Sequence, residues 1–165
     1  MKKNWKIVVT IIIILVSFLA LAFLAGNISS GSFNYAQRYE FKVSESQLIK
    51  KIEKFKSENN SLIPPLNYNA KDSLDDYTHN LTVYIYYPDQ NSIVCFVVGG
   101  NKAHVSYIFL LSINEGLKTP YYKRVNKDFD RDENLKIKEE FKERVLNKLG
   151  LSYKDKGNGM FIFWK

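Results

Sequence analysis

The chain has 165 residues, a formal net charge of +7 and an aromatic content of 15%. This length allows about one ordinary domain beside a short hydrophobic segment, and the aromatic content excludes a disordered chain. Three of the excess positive charges lie in the first six residues, so the rest lacks the dense basic patch that nucleic-acid binding requires. The composition therefore predicts a folded domain that does not bind nucleic acid.

Residues 7–25 form one uncharged apolar run near the amino terminus. As an α-helix this run, which passes from Ile7 through Leu15 to Ala25, would extend about 28 Å. That length is close to the roughly 30 Å of the hydrocarbon core of a bilayer. The run therefore predicts a single transmembrane helix, with the lipid bilayer as its partner.

Residues 1–6 are a basic flank that predicts the direction of this helix. The flank residues that would hold the helix at the membrane interface are Lys2, Lys3, Trp5 and Lys6. Because positive flanks stay on the cytoplasmic side, we expect a single-pass protein with its amino terminus in the cytoplasm and its domain outside. A cleaved signal peptide is the alternative, and it would leave the domain secreted. The apolar run exceeds the usual length of about 7–15 residues, which favours a retained signal anchor.

The remaining chain divides by composition into a flexible tether, residues 26–37, and an extracytoplasmic domain, residues 38–165. Gly, Ser and Asn dominate the start of the tether. In the domain, charged and apolar residues alternate over residues 38–43 and predict a strand. Ser44 and Gln47 then form a capping-box pattern, which predicts the start of a helix.

The rest of the domain predicts further strands and a second helix. Three strands follow the first helix, at residues 81–87, 93–98 and 105–113. A second helix begins at Asp130 or Asp132, and a short last strand occupies residues 160–164. The order β-α-β-β-β-α-β predicts an α+β domain, in which an antiparallel sheet carries the helices on one face.

Strand pairing predicts which side chains share the second face of the sheet, away from the helices. If Tyr87 faces Ser92 and Val98 faces Val105, this face has an apolar centre bordered by tyrosines. The predicted partner-contact residues on it are Tyr84, Tyr86, Ile93, Ile108 and Leu110. Such a composition is typical of protein-contact surfaces. In the alternative, residues 62–68 fold across this face and cover it.

Acidic residues at 128–139 have part of the spacing of a calcium-binding loop. Asp128, Asp130, Asp132 and Glu139 match acidic positions of an EF-hand, but Glu133 stands where the sharp turn needs glycine. The same residues are well suited to begin a helix, since acids near a helix amino terminus complement its dipole. We therefore expect a helix cap here and no bound metal.

Catalytic groups are scarce in the sequence. The two histidines, His79 and His104, are too few for a histidine-rich zinc site, and Cys95 lies within a strand without an identifiable base. Phosphate-binding loops and nucleophile elbows are missing as well. We therefore predict no catalytic residues and no cofactor.

These features together favour a non-catalytic extracytoplasmic binding or interaction module. Its partner would be another envelope or membrane protein. One alternative is an accessory subunit of a membrane complex that acts through its transmembrane helix. A further alternative is an envelope hydrolase whose site has no recognisable motif.

Overall fold

The computed structural model describes residues 10, 12–17, 33–76, 79–102, 104–116 and 121–158. The chain divides into two compact units, Met1–Ser32 and Phe33–Lys165. In the first unit, the described residues are helical and exposed. The second unit contains the sheet.

The prediction of a transmembrane helix at residues 7–25 is wrong for the part of the chain that the structure describes. No helix in that part is both long enough and apolar enough to cross a bilayer. Leu15 lies among the described helical residues 12–17. The rest of the run, with Ile7 and Ala25, and the flank with Lys2, Lys3, Trp5 and Lys6 lie outside the described residues. The single-pass membrane localisation depended on this helix and is corrected with it.

Seven strands form one antiparallel sheet within the described part of the second unit. The strands are β1 (Gln37–Phe41), β2 (Ser73–Leu74), β3 (Leu81–Tyr87), β4 (Ser92–Lys102), β5 (Val105–Asn114), β6 (Lys123–Arg124) and β7 (Tyr153–Asn158). Their order across the sheet is β2-β3-β4-β5-β1-β7, and β6 pairs with the end of β5. The three central strands β3, β4 and β5 are rich in β-branched and aromatic residues, which fit a pleated surface.

Both main helices pack on one face of this sheet. Helix α1 (Glu45–Glu58) begins with a capping box between Ser44 and Gln47, and helix α2 (Arg131–Arg144) begins with one between Asp130 and Glu133. The apolar residues of the two helices and of the turn after α2 join one core with the sheet, through Leu48, Ile52, Phe55, Phe141, Val145, Leu146 and Leu149. The capping boxes therefore determine where each helix begins, and the apolar stripe determines which face of the helix packs on the sheet.

The register of β5 differs from the predicted one. Tyr87 pairs with Ser92 as predicted, but β4 continues to Lys102, so that Val98 pairs with Ile108 and not with Val105. A bulge at Leu111 shifts the register a second time, because Cys95 pairs with Ser112 and Phe96 with Leu110. Side chains alternate with a period of two, so each shift moves β5 residues to the other face of the sheet.

The two ends of the domain also differ from their predictions. The last strand that the structure describes is β7, which pairs with β1, whereas the predicted strand at residues 160–164 lies outside the described residues. At the other end, residues 33–36 of the predicted tether pack on the domain. Ala36 is buried, and the Phe33 ring lies 5.4 Å from the Phe109 ring.

Candidate functional site

The second sheet face holds only part of the predicted contact set. Tyr84 and Tyr86 lie beside Cys95 and Ile93 respectively across the β3–β4 pair, so they share this face with Ile93. Ile108 and Leu110 do not belong there. Both are 0% exposed in the main core beneath the helices, because the longer β4–β5 hairpin changes their register. Placing Ile108 and Leu110 on the contact face was therefore wrong.

The second face is partly covered where its tyrosines lie. The Tyr122 ring packs against the Tyr84 ring at a centroid distance of 6.3 Å, and Ile93 is only 1% exposed. Residues 62–68, the predicted cover, lie elsewhere, since Leu62 packs against the main core and Leu66 is fully exposed. Contact of Tyr84 and Tyr86 with a partner stays a prediction.

Cys95 lies in the middle of this face and is held as a protonated thiol. Its side chain makes hydrogen bonds with the hydroxyl groups of Tyr84 and Ser112. Burial raises the pKa of the Cys95 thiol to about 11 and the pKa of the Tyr84 phenol to about 12. A thiol with this pKa is a weak nucleophile at neutral pH.

The acidic residues at 128–139 are used for helix capping and ion pairing. Asp130 accepts hydrogen bonds from the amides of Asp132 and Glu133, each at 2.9 Å. Asp128 pairs with Arg124, whose side chain lowers the pKa of the Asp128 carboxyl. Across the described residues, no three His, Cys, Asp or Glu side chains converge as a metal site would need. The absence of a bound metal stays a prediction.

Sequence reasoning missed a groove of about 400 Å³ between α1 and the chain that follows Gly150. We call it the lysine groove, and its lining residues are Val43, Gln47, Lys50, Lys51, Lys54 and Leu151. The apolar floor consists of Val43 and Leu151, which are half-buried and pack on the main core. The lysines are exposed along one side of this floor.

Local sequence explains both sides of the lysine groove. Gln47, Lys50, Lys51 and Lys54 recur every three or four residues and so lie on one stripe of α1. Gly150 takes a left-handed conformation, with φ +66°, which ends the short 3₁₀ turn Leu146–Leu149 before Leu151. The sequence alone could not reveal this groove, because Val43 and Leu151 are distant in the chain and surface lysines on a helix are commonplace.

The lysine groove carries one sign of charge. Lys54 forms an exposed ion pair with Glu58 at 3.5 Å, whereas Lys50 and Lys51 form no ion pair within the described part of the chain. No carboxylate lies among the groove's lining residues. An exposed pair such as Lys54–Glu58 contributes at most about 1 kcal/mol and exchanges readily. The rim therefore offers cationic groups to an anion.

A second groove, of about 320 Å³, lies between α2 and the sheet and has the opposite character. Its charged lining includes Glu115, Glu133 and Glu140 against one lysine, Lys136. Glu115 is already paired with Lys123, whose ammonium also lies 5.2 Å from the Phe129 ring centroid. The described part of the domain thus presents a lysine-lined groove and an acidic groove, and one carboxylate of the acidic groove is paired with Lys123.

Comparison with known proteins gives no relative for this antiparallel-sheet domain. The chain matches no protein-family model, no curated protein and no solved structure. The features of the described residues that bear on function are therefore the lysine groove, the acidic groove and the second sheet face.

Proposed function

We propose that the second unit is a non-catalytic binding module whose lysine groove takes an anionic ligand with an apolar part. The observation that supports this function is the combination of an apolar floor, Val43 and Leu151, with a rim of Lys50, Lys51 and Lys54. This combination selects a ligand by both charge and hydrophobicity.

The floor and the rim contribute differently to binding. Covering apolar surface is favourable by about 25 cal/mol per Å², so the floor favours a ligand that has an apolar part. An exposed ion pair adds only about 0–1 kcal/mol, so the lysines mainly decide which ligands are accepted. A cationic ligand with the same apolar part would meet repulsion from the rim.

A pair of matched amphiphiles tests this function. We expect decanoate, below its micellar concentration, to shift the NMR amide signals of Val43, Leu151 and the lysine stripe of α1 in the full chain. Decyltrimethylammonium has a similar apolar part and the opposite charge, and at the same concentration it should shift these signals much less. Equal shifts with both compounds would contradict the proposed function.

Variants locate the effect on the rim. Lys50→Gln with Lys51→Gln should weaken decanoate binding, because the rim loses two of its cations. The control is Lys71→Gln with Lys136→Gln, which removes the same charge from two exposed positions outside the lysine groove; Lys136 lines the acidic groove. This control should bind decanoate as the parent chain does. An equal loss in both pairs would show that only net charge matters.

A further inference from the structure

The form of the lysine groove indicates a larger occupant than a free amphiphile. Building on the proposed function, we propose that it binds an acidic amphipathic helix of a partner protein, laid along α1. The stripe from Gln47 to Lys54 covers two helical turns, about 10 Å. A small anion would meet one or two of the lysines, whereas a helix of similar direction can meet them all.

The spacing of the lysines on α1 fits the repeat of a partner helix laid along it. The lysines lie at positions 50, 51 and 54, with the three- to four-residue spacing of one helix face. A partner helix packed along α1 presents its own residues with the same spacing, since both follow 3.6 residues per turn. Carboxylates at every third or fourth position of the partner would therefore meet successive lysines of the rim.

The floor of the groove suits apolar side chains at the centre of such a partner. Val43 immediately precedes the cap residue of α1, and Leu151 follows the turn at Gly150, so both belong to backbone that the main core holds in place. Enclosed small-molecule sites bury about 70–90% of their ligand. The lysine groove cannot do so, because its lysines are exposed. An open apolar strip instead fits the helix-in-groove mode of recognition.

The groove is ready to bind without rearrangement of α1. Three apolar residues of the helix, Leu48, Ile52 and Phe55, are buried against the sheet, and the capping box at Ser44 holds its first turn. A preformed surface avoids the cost of ordering on binding. Charge then decides the class of partner, since a basic helix would place like charges against Lys50 and Lys51.

The experiment uses a designed peptide of about five helical turns, with leucines every third or fourth residue and glutamates beside them. Two controls are a scrambled peptide of the same composition and a version with lysine in place of every glutamate. Binding to the full chain is measured by calorimetry at about 50 mM and about 300 mM salt. We expect the acidic amphipathic peptide to bind about tenfold tighter than either control and to weaken at higher salt.

Charge reversal provides the decisive variant. Lys50→Glu with Lys51→Glu should lose about tenfold in affinity for the acidic peptide and gain affinity for the lysine version. Lys71→Glu with Lys136→Glu is the matched control and should change neither. Circular dichroism and thermal unfolding establish that each variant is folded. A groove variant that binds the acidic peptide as the parent does would overturn the inference.

Other results separate this inference from the proposed function. If the scrambled and amphipathic peptides bind equally while decanoate still binds in the groove, the helix is wrong and the anionic-ligand function stands. If neither decanoate nor peptide binds there, both are wrong. Vesicles containing anionic phosphatidylglycerol serve as a third probe. If the chain binds these vesicles more tightly than the peptide, and this binding needs Lys50 and Lys51, the occupant of the lysine groove is a lipid surface and not a helix.

Discussion

The Arg144 guanidinium donates two hydrogen bonds to the Asp89 carboxylate, one to each oxygen, both at 2.7 Å. Arg144 ends α2 and Asp89 lies in the turn between β3 and β4, so this fork joins the helix layer to the tip of a hairpin. The guanidinium also lies 4.7 Å from the Tyr87 ring centroid. Arginine can bond both oxygens and cover a ring at once, which lysine cannot do.

We predict that this fork gives a pH-dependent contribution to stability. Arg144 lowers the pKa of the Asp89 carboxyl below its ordinary value of 3.8. A carboxyl whose pKa is lower in the folded state stabilises the fold above its ordinary pKa, and that contribution is lost as pH falls through the folded value. Asp89→Asn should therefore unfold earlier in urea at pH 7 and approach the parent chain below about pH 3.8. A difference that stays constant down to low pH would contradict this.

The register of β5 predicts which leucines hold the core. Leu110→Ala should lower the free energy of unfolding by about 2–5 kcal/mol, because Leu110 is fully buried beneath the helices. Leu66→Ala removes the same atoms from a fully exposed side chain and should cost less than about 0.5 kcal/mol. Urea unfolding measures both. If both variants lose similarly little free energy of unfolding, Leu110 lies on the solvent-facing side of the sheet and the observed register is contradicted.

The contact between Tyr84 and Tyr122 predicts a structural role for the second face. Tyr84→Ala should cost about 1–3 kcal/mol, since it removes a ring packed on Tyr122 and exposes the thiol of Cys95. Tyr86→Ala is the comparison and should cost less, because the Tyr86 hydroxyl donates its hydrogen bond to the exposed Asn91 side chain. Equal and negligible losses would contradict this packing and favour an open contact face.

The thiol of Cys95 should be inert in the folded protein. With its pKa raised to about 11, about one thiol in a thousand is ionised at pH 8. Because Cys95 is also buried, an aromatic disulfide reagent should reach it only through opening of the domain, and should react at once in denaturant. Rapid labelling of the folded chain would show that this part of the sheet is open to solvent.

Local signals in the sequence predicted local structure well. The capping box at Ser44 is observed, and Asp130 proves to be the cap of α2. The β3–β4 hairpin follows from its short turn and from alternation on both sides. These features depend on residues within a few positions of one another, where propensity and hydrogen bonding decide the structure.

Features that depend on distant residues were missed. The bulge at Leu111 has no glycine or proline to mark it, yet it reverses the faces of part of β5. Strand β7 is charged and lacks alternation, so its pairing with β1 depends on tertiary context. The lysine groove requires Leu151 to lie beside α1, which only the fold can show. The candidate site was therefore not predictable, because the sequence does not show that its residues lie close together.

The most direct test of the lysine groove is an intermolecular nuclear Overhauser measurement between decanoate and the methyl groups of the full chain. We predict contacts from the decanoate chain to the methyl groups of Val43 and Leu151, together with their weakening in Lys50→Gln with Lys51→Gln. Contacts to Ile113 and Ile137 in the acidic groove, or no contacts at a decanoate concentration that saturates the amide shifts, would contradict the proposed binding function.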